Sequence, residues 1–332
     1  MKRRTWWLLI LSILVIALPL IACNGDDAAE PGAQTGEGES TAPEPQDYTV
    51  KLAENPWTGS MVNVHVAKIL LEEQLGYPVE IVTIDENAQW ASMASGDLSA
   101  SLEVWPSGHA ENVTQYIDDL GVVENMGLTG PVGKLGWYTP SYMVERNPAL
   151  ASWEGFQDSA AAGEYATAET GSNGQFLAGD PSWVQYDADI INNLGLPLQV
   201  VNAGSEQAIL AALDSAYSRE DPILFYFWTP HSVHAKYELT EVELPAYSDD
   251  CYAGATTGDV DCDYPADDLF KIAWAGLQEA APSAYTFLQN MNYTTEDQIS
   301  MVAAVELDGK SAEEAARDWI NANEATWRTW LP

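Results

Sequence analysis

Two short segments of the chain share one design, in which a strand-like apolar run reaches a tryptophan and is followed by proline and histidine. They are SASLEVWPSGH at 99–109 and ILFYFWTPH at 223–231. Each run predicts a β-strand that the proline ends, so Trp105 and Trp228 are expected at strand ends. Ligands of open α/β sheets bind in the crevice beyond the carboxyl ends of the strands. Two indole faces at one crevice predict a cage for an organic cation, because the ring face attracts positive charge.

The order of the predicted elements indicates two α/β lobes. The first has strands at 48–53, 79–84 and 98–104 and helices at 61–75 and 88–95. A strand at 135–144 leaves the first lobe. The second lobe has strands at 165–169, 199–202 and 223–228, a helix that begins near Trp183, and a helix at 205–217. A strand at 269–274 and helices at 283–290, 296–305 and 311–330 complete the chain. Alternating strands and helices predict a parallel sheet covered by helices, and a chain that crosses twice between two lobes is the layout of a hinged solute trap.

The first 46 residues are predicted to lie outside the folded lobes. Residues 1–23 combine a basic start, an apolar core and the sequence LIAC, which predicts a lipoprotein signal peptide with lipidation at Cys23. A transmembrane anchor is the alternative, since the 17 residues at 6–22 are at the lower limit for a span. Residues 24–46 hold no aromatic or branched apolar residue and predict a disordered tether. We expect domain 1 at 47–139 and 246–332, and domain 2 at 140–245.

The chain is strongly acidic, with 50 Asp and Glu against 13 Lys and Arg and a net charge of −37. This charge argues against nucleic acid and anionic lipid as partners, because both require a basic surface. We attribute the acidity to surface solvation more than to steering of a cationic ligand.

Only two cysteines, Cys251 and Cys262, follow Cys23 in the sequence. In an exported chain they predict one disulfide, which contributes about 3 kcal/mol at best. The aspartates between and after them partly mimic a calcium loop, but Tyr264 and Phe270 stand where that loop needs glycine and glutamate. We therefore interpret the segment as a solvated acidic loop and expect no metal site.

Four longer stretches carry a family resemblance. They are WTGSMVNVHVAKILLEEQLGYPVE at 57–80, MASGDLSASLEVWPSGH at 93–109, GDPSWVQYDADIINNLGL at 179–196 and FYFWTPHSVHAKYEL at 225–239. In these stretches the chain is similar to the substrate-binding lipoproteins of glycine betaine/choline ABC importers, and the resemblance runs from about residue 48 to 331.

The resemblance implies a periplasmic-binding-protein-like fold of type II, with two α/β domains joined by a two-segment hinge. It implies a lipid-anchored, extracytoplasmic, monomeric receptor, not an enzyme and without a cofactor, that delivers glycine betaine, choline, carnitine or proline betaine to an ABC permease. The cage would consist of Trp105, Trp183 and Trp228, with Trp57 as an additional aromatic. The ligand carboxylate would be held by His109 and by the backbone amides of Val184 and Gln185. A helix N-terminus near Trp183 would favour that anion.

Two other classes of function stay open at this point. A receptor for a sugar or another small solute would also use tryptophan stacking. Such a site requires several converging Asn, Asp and Arg side chains, and arginine is scarce in this chain. A secreted hydrolase lacks positive support, because the sequence has no Gly-x-Ser-x-Gly, His-Glu-x-x-His, Walker or Cys-x-x-Cys motif.

Overall fold

The computed structural model describes residues 46–332. The predicted signal peptide, the lipidation site at Cys23 and nearly all of the predicted tether lie outside the described residues. Within residues 46–332, no helix combines the length and the apolar character needed to cross a membrane.

Nine strands form the sheet. They are β1 Val50–Glu54, β2 Val79–Thr83, β3 Ala100–Val104, β4 Val123–Pro140, β5 Gly174–Ala178, β6 Leu198–Asn202, β7 Leu224–Thr229, β8 Leu239–Glu241 and β9 Ala266–Trp274. Their order is β2-β1-β3-β9-β4-β7-β5-β6, and β8 pairs with β4. Parallel pairing joins β2, β1 and β3 on one side and β7, β5 and β6 on the other. The antiparallel strands β9 and β4 connect these two parallel groups.

Fourteen helices and several single turns complete the described part of the chain. The helices are α1 Thr58–Leu75, α2 Ala88–Ala94, α3 Ala110–Asn112, α4 Ser141–Arg146, α5 Ser159–Gly163, α6 Asp187–Asn193, α7 Glu206–Arg219, α8 Val233–Lys236, α9 Asp249–Tyr252, α10 Leu277–Ala280, α11 Pro282–Asn290, α12 Thr295–Glu306, α13 Ala312–Ala322 and α14 Glu324–Trp327. A π-helical segment, Val113–Asp119, follows α3.

The buried apolar side chains fall mainly into two large clusters. One joins α1, β1 and β3 to the C-terminal helices and includes Leu52 and Phe287. The other joins β5, β7 and α7 and includes Phe176 and Leu213. Burial on both faces explains why most of β7 reads as a continuous apolar run, whereas the equally buried β3 carries Ser101 and Glu103 among its apolar residues. The predicted domain boundaries at 139/140 and 245/246 remain predictions.

Several predicted elements are wrong at their boundaries or in kind. The strand expected at 135–144 ends at Pro140, and helix α4 follows it. The strand expected at 165–169 forms turns instead, because Thr170 Oγ1 accepts a hydrogen bond from the Thr167 N–H and the strand follows at β5. The long C-terminal helix is interrupted at Asn323.

The helix expected to begin near Trp183 begins only at Asp187. Asp180 Oδ1 accepts from the Ser182 N–H, and the Trp183 N–H donates to the Asp180 carbonyl, so Trp183 lies in a turn. The amides of Val184 and Gln185 therefore precede the helix and are not its first turn.

The predicted disulfide between Cys251 and Cys262 is present, with 6.4 Å between the two Cα atoms. It closes a loop that begins within α9, where Cys251 lies, and ends before β9. Asp261 lies beside the two sulfur atoms. Because both sulfurs are joined in the disulfide, this cluster offers no thiolate to a metal ion.

Candidate functional site

A narrow cleft lies where β3, β7 and the turn before α6 meet. Its volume is about 410 Å³, which includes the solvent at its mouth. The lining residues are Trp57, Glu86, Trp105, Gly108, Leu135, Trp183, Val184, Tyr226 and Trp228. The four tryptophans predicted from the sequence thus line one cavity, and each is less than one-tenth exposed.

The indole rings are arranged as adjacent walls of a box. The centroids of Trp183 and Trp228 are 5.4 Å apart with an interplanar angle of 85°, and those of Trp57 and Trp183 are 6.2 Å apart at 84°. Tyr226 contacts both Trp183 and Trp228. Perpendicular aromatic walls present several π faces to one central point, which is the arrangement that suits a methylated ammonium group.

Local backbone features set the position of each ring. Trp105 directly follows β3 and lies over Gly133, where an added Cβ would be 2.3 Å from the ring. Trp183 lies over Gly179 with the same 2.3 Å approach. Trp228, near the end of β7, stacks on Phe227 at 4.3 Å. Two of the four rings therefore depend on a missing side chain beneath them.

A buried carboxylate, Glu103 of β3, lies behind two of the walls. Its Oε1 accepts from Trp57 Nε1 at 2.7 Å and from Trp105 Nε1 at 3.1 Å. Its Oε2 accepts from Asn63 Nδ2 at 2.7 Å and from Gln298 Nε2 at 2.8 Å. Burial raises the pKa of Glu103, and the four hydrogen bonds oppose that rise. Glu103 thus fixes the orientation of both indoles.

A second carboxylate, Glu86, enters the cleft from the loop after β2. Its Oε2 lies 3.0 Å from His109 Nε2, and its Oε1 accepts from the Val184 N–H. Asn112 Nδ2 donates to His109 Nδ1, which leaves the Nε2–H to donate to Glu86. Two of the groups expected to hold a ligand carboxylate are therefore engaged by a carboxylate of the protein itself.

The remaining predicted contact, Gln185, does not line the cleft. Its side chain stabilises the preceding turn, where Oε1 accepts from the Gly179 N–H and Nε2 donates to the Asp180 carbonyl. His109 is fully buried and lies behind Glu86. The carboxylate-binding roles of His109, Val184 and Gln185 stay predictions.

The histidines that follow Trp228 have structural partners. His231 accepts from the Val233 N–H at Nδ1 and donates from Nε2 to Glu206 Oε1 at 2.8 Å. His234 Nε2 lies 2.9 Å from the Trp228 carbonyl oxygen. Both side chains support the segment that carries Trp228.

A comparison with protein families identifies the family of this chain. Residues 48–322 match the family model described as the substrate-binding domain of an ABC-type glycine betaine transport system, OpuAC. The chain belongs to this family.

Individual members of the OpuAC family and its structural neighbours agree. The chain is 27% identical over 278 residues to the trimethylamine N-oxide-binding protein of Pelagibacter ubique, a match that covers 82% of this chain and 87% of that protein. The lactococcal OpuAC complexed with glycine betaine has a TM-score of 0.66 and 22% identity, covering 86% of this chain and 100% of that one. A choline-binding protein complexed with choline has a TM-score of 0.68 and 22% identity, covering 85% and 91%. The two-lobed periplasmic-binding-protein fold is thereby confirmed.

Sequence reasoning missed four residues that line this OpuAC-type cleft, namely Glu86, Gly108, Leu135 and Tyr226, and it missed Glu103 behind the cleft. Tyr226 was hidden within the apolar run of β7, where its ring reads as a core residue. Glu86 carries no signal, because it is one acidic residue in a loop of an acidic chain. Glu103 does carry one, since a glutamate inside the fully buried strand β3 needs a specific set of donors.

Proposed function

We propose that this protein is the substrate-binding component of an ABC importer for small methylated ammonium compounds that carry no carboxylate. The observation that carries the proposal is the aromatic box with Glu86 at its edge. Choline and trimethylamine N-oxide represent the ligand class. The family is one of substrate-binding domains, so the proposed role is capture and release without chemical change.

The aromatic box supports a cationic methylated group. A desolvated cation–π contact contributes about 2 kcal/mol, so two or three contribute about 4 to 6 kcal/mol. Micromolar affinity requires about 8 kcal/mol. Exclusion of water and one polar contact at the other end of the ligand can supply the difference.

Glu86 supports the absence of a carboxylate. A ligand such as glycine betaine would bring a second negative group to the place where Glu86 already binds His109 and Val184. Two carboxylates about 5 Å apart repel by about 3 kcal/mol at an effective dielectric constant near 20. A choline hydroxyl can instead donate to Glu86. The 27% identical relative, by its name, binds trimethylamine N-oxide, which carries no carboxylate but whose formally negative oxygen can contact Glu86 only with a proton between the two oxygens.

Location and assembly complete the proposal. We propose an extracytoplasmic, monomeric receptor that is held to the membrane by lipid at Cys23 and works with permease subunits. The signal-peptide pattern of residues 1–23 supports this, and mass spectrometry of the mature N-terminus tests it.

A panel of ligands tests the function. Calorimetric titration with choline, trimethylamine N-oxide and glycine betaine, with glucose as control, is expected to show binding of at least one of the first two. That binding should be at least tenfold tighter than glycine betaine binding, because of the repulsion by Glu86. Binding of glucose alone would overturn the assignment to this ligand class, and preferred binding of glycine betaine would overturn the exclusion of a carboxylate.

The variant Glu86→Gln isolates the charge. Glutamine retains an oxygen that accepts from Val184, so we expect the affinity for glycine betaine relative to choline to rise by about tenfold, equivalent to about 1.4 kcal/mol. Glu80→Gln, which removes an exposed charge on β2, is the matched control and should leave the ratio unchanged. An unchanged ratio in Glu86→Gln would contradict the role of Glu86.

A further inference from the structure

Glu103 is a buried carboxylate surrounded by neutral donors. Its four partners are the indoles of Trp57 and Trp105 and the amides of Asn63 and Gln298. Among residues 46–332, no Lys, Arg or His lies within 4.0 Å of its carboxylate. A buried carboxylate without a cationic partner is costly, so its presence behind a ligand cleft calls for a reason.

The start of helix α1 offsets part of the effect of burial on the Glu103 carboxylate. A Cβ built on Gly59, in the first turn of α1, would lie 3.1 Å from Glu103 Oε2, so the carboxylate sits against this turn. The N-terminus of a helix carries a partial positive charge that stabilises a nearby anion. The helix dipole and the four hydrogen bonds together favour the charged form, while burial opposes it.

The hydrogen bonds from the indoles couple this charge to the cleft. An N–H that donates to a carboxylate is polarised, and electron density shifts into the ring to which it belongs. A more negative ring attracts a cation more strongly on its face. Both Trp57 and Trp105 donate to the same oxygen, Oε1, so one charge acts on two walls of the box.

We propose that Glu103 is a specificity-determining residue, which through Trp57 and Trp105 gives the cleft its preference for cationic ligands over neutral molecules of the same shape. This inference rests on the proposed function, because it concerns the ligand of the same cleft. Glu103 does not line the cleft. It is a positioning residue whose effect reaches the ligand through the two rings.

Glu103→Gln is a close structural match for this test. The glutamine oxygen can accept from both indoles, as Oε1 of Glu103 does. The glutamine amide can donate to Asn63 Oδ1, which is buried and without a partner, and to Gln298 Oε1 once both of these side-chain amides are turned. The variant therefore removes the charge and retains the hydrogen-bonding pattern.

The measurement compares each compound that has a positively charged methylated nitrogen with an isostere that has carbon at that position. Choline is paired with 3,3-dimethylbutan-1-ol, and trimethylamine N-oxide with tert-butanol, and each affinity is determined by calorimetry. We expect the wild-type protein to prefer the methylammonium compound, and we expect Glu103→Gln to reduce that preference by about tenfold. A purely structural role would weaken both members of a pair equally.

Asp187→Asn is the matched control. Asp187 is also a buried carboxylate that accepts from an indole, Trp137 Nε1, but Trp137 does not line the cleft. Measured at pH 8, where Asp187 is largely ionised, its substitution should leave the preference for the methylammonium compound unchanged. If Glu103→Gln does not fold, the variants Trp57→Phe and Trp228→Phe can be compared instead, because the Trp57 indole donates to Glu103 and the Trp228 indole does not. The preference should then fall more in Trp57→Phe.

The outcomes separate the two proposals. Wild-type binding of choline or trimethylamine N-oxide with an unchanged preference in Glu103→Gln would overturn the inference on Glu103 and leave the proposed function intact. Equal losses for the cation and its isostere would do the same. A wild-type protein that binds neither choline nor trimethylamine N-oxide would overturn the proposed function and this inference with it.

Discussion

Asp187 and Glu103 are both buried carboxylates bound to indole N–H groups, but their surroundings differ. Glu103 has four donors shared between its two oxygens, whereas Asp187 Oδ1 accepts from Trp137 and from the Tyr264 hydroxyl and its Oδ2 is buried without a partner. Desolvation dominates at Asp187 and raises its pKa to about 7. The number of donors per oxygen therefore decides how easily each acid is held as an anion.

The raised pKa of Asp187 predicts how stability depends on pH. In the unfolded chain this acid loses its proton near pH 4, whereas in the folded protein it keeps the proton to about pH 7. The folded state thus binds the extra proton between these values, so the contribution of Asp187 to stability falls as pH rises from about 4 to 7. Asp187→Asn should remove this loss, which amounts to a few kcal/mol and at most about 4.

Urea denaturation of the wild-type protein and of Asp187→Asn at pH 5 and pH 8 makes the comparison. The free energy of unfolding of the variant, relative to that of the wild type, should be higher at pH 8 than at pH 5. An identical difference at both pH values would show that Asp187 is ionised throughout this range.

At the scale of elements, β4 and the turn after β5 each contribute a glycine that lies directly beneath one ring of the cage. The close approach of Trp105 to Gly133 and of Trp183 to Gly179 leaves no room for a methyl group. Glycine in a strand interior is intrinsically unfavourable, so its presence in β4 is explained by the ring that lies on it.

Gly133→Ala should displace the Trp105 ring. The added Cβ would lie 2.3 Å from the indole, so we expect at least a tenfold loss of affinity for the bound methylammonium compound and a lower melting temperature. Gly163→Ala at the end of α5 is the control, because the nearest atom to its Cβ would be 3.9 Å away. Equal affinity of Gly133→Ala and wild type would mean that Trp105 does not contribute to binding.

The sequence predicted elements well where hydrophobic periodicity and tight turns agree. Strands β1 to β3 and helix α1 follow alternating or 3.6-residue patterns and match to within a few residues. The prediction failed at 165–169, where the alternation is apolar enough for a strand but Thr167 and Thr170 bond locally. Among the residues that line the cleft, the tryptophans at strand ends were predictable from the sequence. The role of Glu86 was not predictable, because it depends on a contact with Val184, which lies 98 positions further along the chain.

At the scale of the molecule, one hydrogen-bonded cluster ties the two apolar clusters together. Glu206, the first residue of α7, is fully buried, and its Oε2 accepts from the N–H of Thr58, the first residue of α1, whose single hydroxyl proton is shared between Glu206 and Glu306. The same carboxylate accepts from His231. Helix α1 packs in one apolar cluster and α7 in the other, so Glu206 holds the two sides of the cleft together.

Glu206→Ala should loosen the contact between α1 and α7. The hydrogen bonds from the Thr58 N–H and from His231 would be lost, so we expect at least a tenfold loss of affinity and a larger radius of gyration by small-angle X-ray scattering. Asp214→Ala, on the exposed side of α7, is the control and should change neither value. Unchanged affinity and size in Glu206→Ala would show that the cleft does not depend on this contact.

The position of Glu86 has a consequence for how uptake specificity changes in evolution. Because His109 and the Val184 amide already form a complete acid-binding set, substituting one residue would free that set and leave every aromatic wall in place. A transporter could then exchange one nitrogen-rich nutrient for another by a single codon change. Overall similarity between two such receptors is therefore a poor guide to what each one imports.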